Sequence, residues 1–346
     1  MKNNPFRLDF GAEPGLYIPR HTEQQKVMDV FTAESPSSHI FLLTGARGSG
    51  KTVLMTSISH SLREDKKWIH VDLNPEGNLL KQLAAYLYQE SKRRFPRLKL
   101  GVSFRGIELS AEKEDKYTDV QFDLDEMIVQ LAKKRIRILI TIDEISNAKN
   151  IREFTAYFQH CLRERMPVFV LMTGLYKNIR ALQNNRTQTF LKRAPKIDLT
   201  PLSISRIVHQ YEETFGIDTT GARELAHLTA GYSYGFQILG FLLYEAGMDH
   251  ADRKIVAEYR SHLEDGSYEK IWEELSAGER RVAIAIAQSE RNAAIKDVRE
   301  RLDMDSNNFS SYQNILQKSG ILSEESPYGR VDFCLPFFRE YLLTKQ

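Results

Sequence analysis

The sequence predicts an α/β fold built on a parallel sheet, and three observations carry the prediction. Apolar runs of strand length, at 39–44, 68–72, 136–142, 167–174 and 196–199, alternate with segments of helical spacing. Strands buried on both faces and separated by helices read as βαβ units, hence a parallel sheet. The first run leads directly into a glycine loop, and the run at 136–142 ends in the adjacent carboxylates Asp143 and Glu144. Both features fall at the carboxyl ends of strands, where open α/β sheets bind their ligands.

The first segment, Asn4-Pro5-Phe6 through Phe10-Gly11 to Pro14-Gly15, is rich in turn formers with isolated aromatics and reads as an extended arm wrapping the surface. Tyr17-Ile18-Pro19-Arg20-His21-Thr22-Glu23 follows, ahead of Val27, Val30 and Phe31 at helical spacing. A helix is expected there with Thr22 as its N-cap. Arg20 and Glu23 stand at its start, where spacing allows a surface ion pair.

The loop Gly45-Ala46-Arg47-Gly48-Ser49-Gly50-Lys51-Thr52 fills every fixed position of the Walker A pattern, with strand before it and Val53 onward continuing as helix. Glycines let backbone N–H groups turn toward one anion, and the helix start adds the positive end of its dipole. Lys51 is placed to reach the β- and γ-phosphates of ATP, and the Thr52 hydroxyl to ligate Mg²⁺. A glycine-rich turn without a ligand would require neither Lys51 nor Thr52.

Trp68 to Asp72 reads as the second strand and Leu79 to Tyr88 as an amphipathic helix. The period-two alternation of Leu98 to Leu109 then interrupts the rhythm and reads as an inserted hairpin, an edge decoration or a partner contact through Lys99 and Arg105. In the strand at 136–142, Asp143 is placed to hold Mg²⁺ through water and Glu144 to orient and deprotonate an attacking water. A helix from Ile151 to Arg165 precedes the next strand, which ends at Thr173. Two readings stand for Thr173: a hydrogen bond to the γ-phosphate or its water, or a plain strand-end turn. Arg193, just before the last short strand, is a candidate arginine finger acting on a neighbouring subunit's nucleotide; a surface arginine is the other reading.

From Thr200 onward amphipathic helices succeed one another to about Glu264 as a helical lid. Its turn Thr229 to Gly235 is a place where backbone could approach an adenine, or a simple Gly-bounded connection. Helices at 268–287, 295–302 and 307–319 and a hairpin pairing 320–324 with 330–335 then describe a winged helix. Its third helix offers Asn308, Gln313 and Asn314 to base edges but few cations beyond Lys318. The domains expected are therefore 1–200 for the core with its arm, 201–265 for the lid and 266–346 for the winged helix.

At 346 residues the chain has room for two or three domains, and its net charge of +2 does not by itself call for a polyanion. Lys92-Arg93-Arg94 and Lys133-Lys134-Arg135 are local basic clusters, each readable as a solvated helix face. Cys161 and Cys334 lie far apart without metal-ligand spacing, so neither a disulfide framework nor a zinc site is expected. The longest apolar run, Phe236 to Leu243, is too short to span a membrane, and a cytoplasmic protein is expected.

Taken together these residues resemble the AAA+/STAND branch of P-loop ATPases, most closely bacterial and archaeal ATPases whose core, lid and winged helix are similar to origin-recognition ATPases. The resemblance covers nearly the whole chain. It implies that Ile18-Pro19-Arg20 through Glu23 packs near the adenine, that Gly45 to Thr52 is Walker A and Asp143-Glu144 Walker B, and that Thr173 occupies the sensor position. It also implies the strand order 5-1-4-3-2. Two departures stand out: Gly231-Tyr232-Ser233 where STAND proteins usually carry Gly-x-Pro, and no arginine in the following helix to act as the second AAA+ sensor. The function expected is ATP-driven conformational or assembly switching, either DNA-associated or signalling to a protein partner through the winged helix.

Overall fold

The computed structural model of the chain describes residues 3–8, 14–95 and 117–345, with backbone alone at 117–119. The hairpin expected at Leu98 to Leu109 lies outside the described residues. By internal packing the chain divides into two compact units, Arg20–Thr44 with Leu54–Ile197, and Met1–Pro19 with Gly45–Val53 and Asp198–Gln346.

The first unit is built on α1 (His21–Thr32), β1 (Ile40–Thr44), α2 (Lys51–Arg63, whose first turn groups with the second unit), β2 (Trp68–Leu73), α3 (Leu79–Arg94) and α4 (Tyr117–Lys133). It continues through β3 (Arg137–Ile142), α5 (Lys149–Arg163), β4 (Val168–Thr173), α6 (Tyr176–Asn184), a 3-10 turn at Arg186–Arg193 and β5 (Lys196–Asp198). The five strands lie in the order β2-β3-β4-β1-β5, the order the resemblance implied, so Thr173's strand lies between the two motif strands. Pairing is parallel, with Leu43 opposite Thr173 and Ile142 opposite Met172.

β1 and β4 are buried at every position and β3 at all but its first, which accounts for their unbroken apolar sequence. On one face Ile40, Ile138, Ile140 and Val170 share a core with Leu83, Leu124 and Phe158 of the covering helices. On the other, Phe31 meets Phe41 and Phe169 at ring separations of 5.5 and 5.1 Å. Arg137 closes the end of α1 by donating to the carbonyls of Phe31 and Ala33, at 2.6 and 2.9 Å, which no intrahelical N–H can reach. α1 begins two residues earlier than Thr22 capping would place it: Arg20 holds the N-cap position and makes no side-chain cap bond.

The second unit contains α7 (Ile204–Phe215), α8 (Thr219–Thr229), α9 (Ser233–Ala246), α10 (Arg253–Leu263), a π turn at Glu264–Tyr268, α11 (Glu269–Glu274) and α12 (Ala277–Ala287). β6 (Ala293–Ala294), α13 (Ile295–Leu302), α14 (Ser306–Lys318), β7 (Arg330–Val331) and α15 (Phe338–Leu343) complete it. One hydrophobic core runs through α7 to α10 and on into α12, α14 and α15. The apolar run 236–243 is the middle of α9, with Phe236, Ile238, Leu239 and Leu243 buried in that core. Among the described residues no helix is long and apolar enough to cross a membrane.

The arm, which the sequence grouped with the sheet, packs on α9. Phe6 is fully buried, stacked on Phe215 and edge-on to Phe236, and the ring lies so close to Gly240 that a Cβ there would come within 2.3 Å of it. Gln237 holds the arm at two points, accepting from the Arg7 N–H and donating to the Leu16 carbonyl.

Two C-terminal elements differ from expectation. The helix expected at 268–287 is divided at Leu275-Ser276, because Ser276-Ala277-Gly278-Glu279 forms a capping box: Glu279 accepts from the Ser276 N–H at 2.7 Å and Ser276 Oγ from the Glu279 N–H. The expected hairpin is reduced to one antiparallel bridge between Leu322 and Phe333, while β7 pairs instead with β6, Ala293 opposite Val331. Two alanines carry no strand signature, so β6 had nothing in sequence to announce it.

Candidate functional site

Three glycines of the loop 45–52 have the backbone that only glycine adopts freely, with φ of 152° at Gly45, 72° at Gly48 and 89° at Gly50. Such a loop turns successive N–H groups inward as a nest for an anion. Lys51 is buried and lies along the loop, its Nζ donating to the carbonyls of Gly45 and Ala46 at 3.1 and 2.8 Å. Thr52 and Val53 follow in the first turn of α2, whose positive dipole end stands at the loop.

The lid turn ahead of α9 grips three successive carbonyls of this loop. The Tyr232 hydroxyl donates to Arg47 O at 2.6 Å, the Tyr234 N–H to Gly48 O at 3.1 Å, and the Ser233 hydroxyl to Ser49 O at 3.1 Å. Ser267 in turn donates to the Tyr232 oxygen at 2.7 Å, since that oxygen's own proton is committed to Arg47. Burial pushes the Tyr232 phenol well above its ordinary value, so it remains a donor. In a trans peptide the N–H points opposite the preceding carbonyl, so tethering the carbonyls outward on the lid directs the N–H groups of Gly48 and Gly50 to the other side. The fit leaves no room for a side chain at Gly48, where a Cβ would lie 2.5 Å from the Tyr232 oxygen.

The C-terminal region reaches the loop too. A Cβ on Gly320 would lie 3.0 Å from Ala46 Cβ. Between these parts lies a cavity of about 30 Å³, lined by Ala46, Ser49, Pro201, Gly231, Tyr232 and Gly320 among others. It has room for water but not for a nucleoside.

In the first unit Asp143, Glu144 and Thr173 form one network at the carboxyl ends of β3 and β4. The Thr173 hydroxyl donates to Asp143 Oδ1, and the Glu144 N–H donates to Asp143 Oδ1 and to Thr173 Oγ1, each at 3.1 Å. Glu144 has φ of 51°, a turn that leaves its side chain exposed while Asp143 stays half-buried. The Thr173 hydroxyl is thus tied to both Asp143 and Glu144.

Arg20 is half-buried and pairs with Glu23 at 3.7 Å, burial lowering its pKa and Glu23 opposing. Arg193 is exposed at the end of the turn 186–193, ahead of β5. Sequence reasoning missed the side chains of Tyr232 and Ser233 and the approach of Gly320; the only available sign was the substitution of Tyr-Ser where Gly-x-Pro is usual.

Comparison with known proteins agrees with this geometry. Residues 24–188 match the KAP family P-loop domain, and residues 265–342 match a domain of unknown function (DUF8462). Among curated proteins no match to the sequence is found. The Walker-type ATPase PABY2304 of Pyrococcus abyssi superposes with a TM-score of 0.68 at 16% identity, covering 95% of this chain and 96% of that one. The ORC2 protein of Aeropyrum pernix, in ADPNP-ADP complexes, superposes at 0.62 with 13% identity over 97% and 95% of the two chains. Its ADP form superposes at 0.52, with 13% identity over 97% and 96%. Over residues 24–188 this chain is similar to the KAP family P-loop domain, and its fold is shared with these archaeal proteins.

Proposed function

We propose that the chain binds and hydrolyses Mg-ATP and uses the cycle as a conformational or assembly switch. The observation that carries this reading is the loop at 45–52, a nest of positive-φ glycines with Lys51 drawn along it at the start of a helix. Gly45 to Gly50 would hold the phosphates through backbone N–H groups, and Lys51 would exchange its carbonyl partners for phosphate oxygens. The Thr52 hydroxyl and the Asp143 carboxylate are each an oxygen donor of the kind a hard cation takes. No cluster of three or more His, Cys, Asp or Glu that could hold a metal exists among the described residues, so Mg²⁺ here would complete its shell with phosphate and water. When bound, the ion would supply neutralisation of phosphate charge. Glu144, exposed beside Asp143, is placed to take the proton of an attacking water.

Nucleotide state would reach the rest of the chain through the loop itself, because the lid turn and Gly320 both rest on it. That contact favours the reading in which the C-terminal region signals to a protein partner. Its footprint for nucleic acid is thin: Asn308 is tied to its helix-capping neighbour Asp305, and Lys318 pairs with Glu324 at 2.7 Å. DNA contact through that region alone is expected to be weak unless assembly adds several copies.

Calorimetry with Mg-ATP tests the reading. Lys51→Ala should lose most of the affinity, and Glu144→Gln should keep ATP binding while abolishing turnover, because an amide cannot accept the water's proton. Undiminished affinity in the first variant, or normal hydrolysis in the second, would overturn the corresponding assignment.

A further inference from the structure

The basic clusters that sequence placed far apart come together at the amino-terminal edge of the sheet. Trp68 is paired with Arg137 and Ile138 with Val168, so the turns that feed β2, β3 and β4 lie side by side, with neighbouring strands ~4.8 Å apart. The first turn carries Lys66 and Lys67, the second Lys134 and Arg135, the third Arg165, and all five are exposed. The end of α3 extends the strip, since Arg94 donates to the Lys66 carbonyl at 3.0 Å. Acids are fewer: Asp65 is folded back on the Lys67 N–H at 2.9 Å, Glu90 pairs with Arg93 and Arg94, and Glu64 and Glu164 remain on the turns.

Helix dipoles account for part of this charge. A cation in the last turn of a helix is favourable, which suffices for Arg63, Lys133 and Arg163 at the ends of α2, α4 and α5. It does not explain the cations beyond the helix ends, and two of those are placed against backbone preference. Arg135 and Arg165 have φ of 57° and 52°. Each is the left-handed residue of the same helix-ending motif, with Ile136 N–H bonded to Leu131 O and Met166 N–H to Cys161 O. Glycine is the residue this position ordinarily takes, yet the chain has arginine at both sites.

We propose that this edge binds the phosphate backbone of duplex nucleic acid without reading its sequence. The strip offers five exposed cations on three adjacent turns and few groups of the kind that read base edges. A membrane surface fits less well, because none of the large exposed apolar side chains among the described residues, Tyr86, Phe122, Val129, Tyr328 and Leu343, lies on the three turns. The site is at the opposite ends of the strands from Asp143 and Thr173, about 20 Å along β3, so binding here does not compete with ATP. The inference does not depend on the ATPase reading.

The double substitution Arg135→Gly/Arg165→Gly tests it, because glycine suits both backbones and removes only the cations. Fluorescence anisotropy of labelled mixed-sequence duplex DNA would be followed from low to physiological salt, with the full chain. Wild type should bind with a steep salt dependence. The variant should keep its unfolding midpoint and ATP affinity, lose about tenfold or more in duplex affinity at low salt, and show a log–log salt slope shallower by about 1.8. Should the glycine variant unfold early, Lys66→Gln/Lys134→Gln is read by the same slope. Unchanged affinity and slope in a folded variant would overturn the proposal. So would failure of wild type to bind duplex at low salt, including the case in which it binds phosphatidylserine vesicles instead.

Discussion

Thr173, at the end of β4, donates its hydroxyl to Asp143 at the end of β3, and the same hydroxyl oxygen receives the Glu144 N–H at 3.1 Å. One side chain thus fixes both the carboxylate proposed to face the metal and the backbone that aims the proposed base. Thr173→Val keeps the shape and removes the hydroxyl. Turnover should fall about 10- to 100-fold with ATP affinity nearly kept. Steady-state kinetics beside calorimetry would separate these, and a rise in KM alone would show that Thr173 serves binding instead.

At Gly48 two costs act together, a φ of 72° and the Tyr232 oxygen where a Cβ would go. Gly48→Ala should destabilise by ~2 kcal/mol or more and lower nucleotide affinity, because the loop cannot keep its shape and the lid its seat. Tyr232→Phe removes only the donor to the Arg47 carbonyl, for about 1–3 kcal/mol. Urea unfolding should rank the two variants by lost stability and calorimetry with Mg-ATP by lost affinity, with alanine the worse in both.

His70, on β2, donates from Nε2 to Thr141 Oγ1 at 2.8 Å, since the Thr141 hydroxyl's own proton goes to Asp72. Burial lowers the His70 pKa to about 4, Asp72 opposing and Arg63 and His60 adding to the shift. The unfolded chain therefore binds a proton that the folded one refuses between pH 6.5 and about 4. This contribution is present in full above pH 6.5 and is lost as pH falls toward 4, a change of about 2–3 kcal/mol. Urea midpoints across that range should show a His70→Gln variant with a flatter acid limb than wild type; parallel limbs would dissociate His70 from the acid sensitivity.

Arg193 is exposed just ahead of β5. If it acts on a neighbour's nucleotide, mixing Arg193→Ala protein with Lys51→Ala protein should partly restore hydrolysis, since each supplies what the other lacks. With mixed assembly verified by mass, no recovery at any ratio would rule out action in trans.

Much of the sheet was legible because β1, β3 and β4 are buried on both faces, and such strands are written mostly in Val, Ile, Leu, Phe and Met. The loop 45–52 was legible because phosphate binding demands glycine and lysine at fixed spacing. Tyr232 was not, since its meaning lies in which carbonyl it meets 185 residues away in the chain. The split at Ser276 was visible in principle: the capping pair with Glu279 was there to be read but was outweighed by the apolar periodicity around it. Arg135 looked like ordinary surface charge and Arg165 like the end of a helix, because handedness of the backbone leaves no mark when glycine is not used.

Phe6 emerges from the ribosome long before the helix that receives it. Asn4 bonds to the carbonyl of Phe241, 237 residues later, and at typical synthesis rates that interval is ~12–50 s. Through that time the aromatic has no native seat, and the second unit cannot close until α9 has been made. Completion of the arm on α9 is thus a late event in the life of each molecule, and a nascent chain halted anywhere before α9 has its arm open to proteases and chaperones.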